Sequence, residues 1–244
     1  MSVVMRKRQR TAAVQNLAEI ARASWSAAVF ALILFFASEA FGATNIALFL
    51  EAQADLKSWT ADFVQTRTLK SLKQPLKSPG HLYFAAPNAF RWELGEPTQT
   101  IAVRSSNDVL LIYPPLKRAE RYSLAPGEHS PWQDMLSLLE AGFPRNQQEL
   151  ESRFNISSER VLDGKLHVVL QPKAASARRW MREMELVFDN QSKTLAATEL
   201  RFADGSSLRN DFSNERKNPA IDPQLFNPQI PPEYKIAEPG KGKR

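Results

Sequence analysis

Gly80-His81-Leu82-Tyr83-Phe84-Ala85-Ala86-Pro87-Asn88-Ala89-Phe90-Arg91-Trp92-Glu93-Leu94 is the stretch on which the fold turns. Leu82 and Phe84 alternate with His81 and Tyr83, and Phe90, Trp92 and Leu94 alternate with Arg91 and Glu93. A period of two marks a half-buried strand, and Ala86-Pro87-Asn88 between the runs is turn chemistry. Two strands joined so tightly must be antiparallel, with one apolar face.

The same alternation extends outward on both sides. Trp59, Ala61 and Phe63 precede the hairpin, and Ile101/Val103 and Val109 to Tyr113 follow it. Further runs lie at Phe154/Ile156, Leu166/Val168/Leu170, Met184/Leu186/Phe188, Leu195 to Phe202 and Leu208/Phe212. Short connections such as Ser78-Pro79-Gly80, Gly95-Glu96-Pro97, Asp189-Asn190-Gln191-Ser192 and Asp204-Gly205 leave no room for the crossover helices of a parallel sheet. The expectation is a mostly β (α+β) fold. It is an antiparallel sheet of about ten or eleven strands, curled because such wide sheets rarely stay flat.

Two helices are expected beside it. Ile46, Leu48, Phe49, Leu50 and Leu56 make Asn45–Lys57 one amphipathic helix with Thr44 as N-cap. Pro131 to Ala141 is a second, opening on Ser130-Pro131 and ending at Gly142. The proline-rich stretch from Pro219 to Ile236 reads as an extended tail along a sheet edge.

Ahead of the domain, Arg6, Lys7, Arg8 and Arg10 precede the apolar run Ala27 to Phe36, and Ala40-Phe41-Gly42 fits the small-x-small rule. This reads as a cleavable Sec-type signal peptide over residues 1–43, with a single domain over 44–244 and a periplasmic destination. The net charge of +6 shrinks to +3 after residue 43, with 27 basic and 24 acidic residues intermingled. That balance does not build a nucleic-acid-binding stripe.

The chain has no cysteine, which excludes disulfides, thiol nucleophiles and an acylated cysteine anchor. His81, His129 and His167 form no H-x-x-x-H or H-E-x-x-H pair, and no G-x-S-x-G elbow or glycine-rich phosphate loop occurs. Neither catalysis nor a cofactor or metal is expected. Asp62, Glu93, Glu183 and Glu185 read as solvated charges on an outer face.

Several segments resemble the periplasmic outer-membrane lipoprotein carrier family, LolA. Ser58-Trp59-Thr60-Ala61-Asp62-Phe63-Val64-Gln65 is similar to that family's first strand, and Gly80 to Phe84 with Pro87 to Glu93 to its signature hairpin. Leu111-Ile112-Tyr113-Pro114-Pro115, Leu170-Gln171-Pro172-Lys173, and Ile221 to Phe226 with Pro231-Pro232 follow in the family's order. The resemblance implies an incomplete β-barrel closed by a helical lid over an apolar cavity. It also implies acylated lipoproteins as cargo, received by a monomer from an inner-membrane ABC transporter and passed to an outer-membrane receptor.

On that basis the cavity wall is assigned to Phe63, Leu82, Phe84, Phe90, Trp92, Leu94, Ile101, Val103, Leu111 and Tyr113, and the lid to Leu48, Met135 and Leu138. An apolar strand face taken alone is more often ordinary core. Members of the family commonly carry an arginine just before the hairpin proline as a lid latch. Here that residue is Ala86, and Arg91 is the possible substitute. A carrier of another lipid, or a lipid-sensing module, remains open. A chain of about 16 carbons has roughly 13 kcal/mol of apolar surface to hide from water, so any such cargo needs an apolar host.

Overall fold

The computed structural model describes residues 45–104, 108–124 and 146–238. The expected signal peptide, the expected Thr44 cap and the expected Pro131–Ala141 helix with Met135 and Leu138 lie outside them. In chain order the elements are helix α1 (Asn45–Glu51), strands β1 (Ser58–Thr68), β2 (Leu76–Ala85), β3 (Ala89–Leu94), β4 (Thr100–Arg104), β5 (Asp108–Tyr113) and β6 (Arg118–Ser123). There follow α2 (Gln147–Arg153), β7 (Phe154–Leu162), β8 (Lys165–Pro172), α3 (Ala175–Arg178), β9 (Met181–Asp189), β10 (Leu195–Phe202), β11 (Ser207–Lys217) and β12 (Lys235–Ala237).

Among the described residues, twelve strands join one open sheet in the order β12-β6-β5-β4-β3-β2-β1-β11-β10-β9-β8-β7. The fold is an incomplete barrel, mostly antiparallel as the turn spacing predicts. Two strands exceed the ten found by alternation. β6 reads Arg-Ala-Glu-Arg-Tyr-Ser and carries no hydropathy signal, while β12 is the tail, paired parallel to β6 through Lys235↔Arg118 and Ala237↔Glu120. That one parallel pair corrects an all-antiparallel expectation. A tail arriving from across the sheet can meet the edge strand in either direction.

Register joins the apolar positions into one face. Trp59 lies opposite Phe84 and Phe84 opposite Phe90; Ala61 meets Leu82, which meets Trp92, then Ala102 and Leu111. On the other side Phe63 pairs with Phe212, and the face runs on through Leu200, Met184 and Leu170. Cross-strand neighbours share a face, so this is one surface from β5 to β8.

Its two halves are covered differently. Over β8 to β10, Ile46, Phe49 and Leu50 of α1 and Leu150 of α2 pack on Leu166, Val168, Leu170, Met184, Leu186 and Phe188. The α1 helix ends at Glu51, well short of the expected Lys57, because Gln53 and Ala54 donate to Leu50 and Glu51 oxygens and tighten the chain into turns. Leu48, expected in the lid, is 53% exposed, while Ile46, Phe49 and Leu50 of the same helix are buried. The α2 helix is begun by Asn146, whose side chain accepts from the Glu149 N–H at 2.8 Å.

Candidate functional site

The other half of the face, over β1 to β5, is aromatic. Phe63 and Trp92 rings lie 4.1 Å apart, and Phe212 sits edge-on to Trp59 at 5.2 Å and to Trp92 at 6.4 Å. Such tilted and edge-on pairs add to the burial term. Gly80 makes the Phe63 position possible, since a Cβ there would collide with the Phe63 ring and the Glu93 carbonyl oxygen. Among the described residues, the apolar contacts reaching this half from outside the strands come from Leu56 and Leu124.

The expected wall residues divide cleanly. Phe63, Leu82, Phe90 and Leu111 are buried in this cluster, with Phe84, Trp92, Leu94 and Tyr113 half-buried against it. Ile101 and Val103 are not part of it. Ile101 pairs with Glu93 and Ile112, and Val103 with Arg91 and Leu110, which places both on the opposite face. Ala102 occupies the wall instead. Three consecutive apolar residues, Ile101-Ala102-Val103, leave the parity of β4 ambiguous, and a slip of one residue exchanges the faces.

That ambiguity has a physical source, because the opposite face is also apolar here. Leu110, Ile112, Ala119 and Ile101 receive Ile230 and Tyr234 from the C-terminal segment. Trp59, Ala61, Val109 and Phe212 belong to this cluster as well and were absent from the expected set, although Trp59 and Ala61 continue the alternation through Phe63.

Arg91 faces away from the wall. Its Nε contacts Glu93 Oε1 at 2.5 Å and its Nη1 donates to the Leu225 carbonyl oxygen at 3.2 Å. Arg91, the possible latch, therefore clasps the 3-10 turn Pro223–Phe226 on the opposite side of the sheet. Alternation with Phe90 and Trp92 dictates this orientation.

A cleft of about 590 Å³ lies on that opposite side, where the C-terminal segment crosses Thr60, Asp62, His81 and Tyr83 and brings Ile221 and Leu225 over them. Asp62 pairs with His81 and accepts from Asn214 Nδ2 at 2.7 Å. Burial, with Glu93 adding to it, raises the Tyr83 hydroxyl above the ordinary tyrosine value. Ala61 reaches the edge of the cleft, but none of the rings of the aromatic cluster lines it.

Glu183 and Glu185 do lie on the outer face, opposite in sense to Met184 and Leu186, but Glu185 is not solvated: its side chain is 5% exposed. It meets His167 Nδ1 at 2.8 Å, Arg201 Nη2 at 2.8 Å and Arg160 Nη2 at 3.3 Å. Burial alone would raise its pKa, but the hydrogen bond from His167 and the charges of Arg201 and Arg160 together hold it below the usual glutamate value. Among the described residues no group of three or more His, Cys, Asp or Glu is arranged to hold a metal. Nor is any helix there long and apolar enough to cross a membrane.

These strands make an open, mostly antiparallel sheet with one apolar face, on which α1 and α2 lie over β8 to β10. Residues 54–229 match the family model described as "Outer membrane lipoprotein carrier protein LolA", and the chain belongs to that family. No curated protein matches it in sequence.

Solved structures of similar fold include an uncharacterized conserved protein from Thermus thermophilus, at 10% identity and TM-score 0.48, covering 81% of this chain and 99% of that one. An outer membrane lipoprotein-sorting protein domain from Vibrio parahaemolyticus is 14% identical at TM-score 0.42, covering 75% and 94%. MucB, in its complex with MucA from Pseudomonas aeruginosa, is 15% identical at TM-score 0.41, covering 79% and 62%.

Proposed function

We propose that this chain is a periplasmic carrier that shelters the acyl chains of lipoproteins on its aromatic face. In this reading it collects them from an inner-membrane ABC transporter and delivers them to an outer-membrane receptor, without covalent chemistry. Residues 1–43 act as the export signal. The observation that supports this most is the asymmetry of the apolar face. One half, beneath α1 and α2, is mostly aliphatic, whereas the other gathers the rings of Trp59, Phe63, Trp92 and Phe212 on one side of the sheet.

Depletion of the protein followed by membrane fractionation tests the reading. Outer-membrane lipoproteins should accumulate at the inner membrane; their normal arrival would end it. A second reading, transport of a different lipid or acylated product, draws on Ala86 standing where the family commonly has its latch arginine, with Arg91 turned to the other face. Mass spectrometry of the co-purifying lipid separates the two.

A further inference from the structure

The tip of the β1–β2 hairpin is a surface that the carrier reading leaves unused. Its sequence is Arg67-Thr68-Leu69-Lys70-Ser71-Leu72-Lys73-Gln74-Pro75-Leu76-Lys77, with four cations and no acid. All of these residues except Leu69 are exposed. Leu72, in the loop, is 43% exposed and Leu76, the first residue of β2, 52% exposed, and neither contributes to a core. Exposed leucines set among lysines suit the headgroup layer of an anionic bilayer, where cations meet phosphates and the apolar side chains sink into the acyl boundary.

The surroundings extend the positive character. Lys70 folds over the β10–β11 turn at Gly205, where Asp204 offsets part of its charge. Phe202 pairs with Met181, so the β8–β9 connection lies at this same end of the sheet. That connection brings exposed Lys173, Arg178 and Arg179. Leu76 lies opposite Arg67 on the same face as Gly80 and Leu82, so the hairpin tip continues the aromatic wall toward its open end.

We infer that the β1–β2 hairpin tip docks on a bilayer containing anionic phospholipid, seating Leu72 and Leu76 among the headgroups and Lys73, Lys77 and Arg67 on phosphates. This goes beyond the carrier reading and stands without it. The absence of native cysteine allows one environment-sensitive fluorophore to be placed on the full chain through Ser71→Cys, and on a control at the far end of the sheet through Lys165→Cys.

With vesicles of phosphatidylcholine containing about one-third phosphatidylglycerol, the fluorophore at position 71 should brighten roughly threefold and shift to the blue, and pure phosphatidylcholine should leave it unchanged. Adding Lys73→Glu and Lys77→Glu should weaken the apparent vesicle affinity at least about tenfold, as should about 0.5 M salt. The position-165 label should stay silent.

Silence at position 71 on anionic vesicles, an equal response on neutral ones, or a response indifferent to charge reversal would each overturn the proposal. Silence is also what an acidic protein partner would leave. Acyl chains co-purifying with the same variants are measured separately, and their loss bears on the carrier reading alone.

Discussion

Arg91 holds the carbonyl oxygen of Leu225 across the sheet, 134 residues apart in sequence. This contact pins the C-terminal segment to the side away from the aromatic wall. With the Arg91 side chain 12% exposed and also braced on Glu93, Arg91→Ala should cost about 1.5–3 kcal/mol in urea unfolding. It should also speed limited proteolysis within residues 219–237. Lipid co-purifying per folded molecule should stay constant, whereas a lid latch would change it.

The wall assignment is tested by comparing the two faces of adjacent strands. Trp92→Ala should reduce co-purifying acyl chains several-fold. Ile101→Ala, on the opposite face beneath Ile230 and Tyr234, should cost about 2–4 kcal/mol of stability and leave lipid content per folded protein unchanged.

Gly80→Ala forces a methyl group against Phe63 and the Glu93 backbone. We expect a loss of about 1–3 kcal/mol by thermal unfolding. Phe63→Leu in the same chain should restore part of it, a coupling visible in a double-mutant cycle.

Glu185 sets an acid limit on stability. Its folded-state pKa lies below the unfolded value, so its contribution is complete above the unfolded pKa of about 4.3 and is lost as pH falls through the lower folded value. Glu185→Gln should lower stability at pH 7 by about 1–3 kcal/mol and flatten the fall in the denaturant midpoint between about pH 5 and 3. A variant with the wild-type acid slope would contradict this.

Where alternation is strict the sheet was legible in the chain itself: Leu82, Phe84, Phe90 and Trp92 face as their spacing demands. It failed where one residue carried two messages. Ile101-Ala102-Val103 is apolar on both sides because β4 is covered on both sides. Arg118, Glu120 and Tyr122 hide β6 because its wall-side positions are polar, held together by Arg118 on Glu120 and by the Tyr122 hydroxyl donating to Glu120 at 2.8 Å. Glu185 looked solvated because its partners Arg160, His167 and Arg201 come from three other strands. No local pattern announces such a meeting.

The central position of β1 has a cost in time. Trp59 through Thr68 form half their ladder with β2, close behind, but the other half with Lys217 back to Ser207, so that Gln65 reaches Asn210 across 145 residues. A chain released amino end first must therefore keep one side of its earliest strand unmatched until almost everything else has followed. Pairings this remote slow folding, and the waiting edge beside Trp59 and Phe63 is the part of the nascent protein most in need of protection from its neighbours.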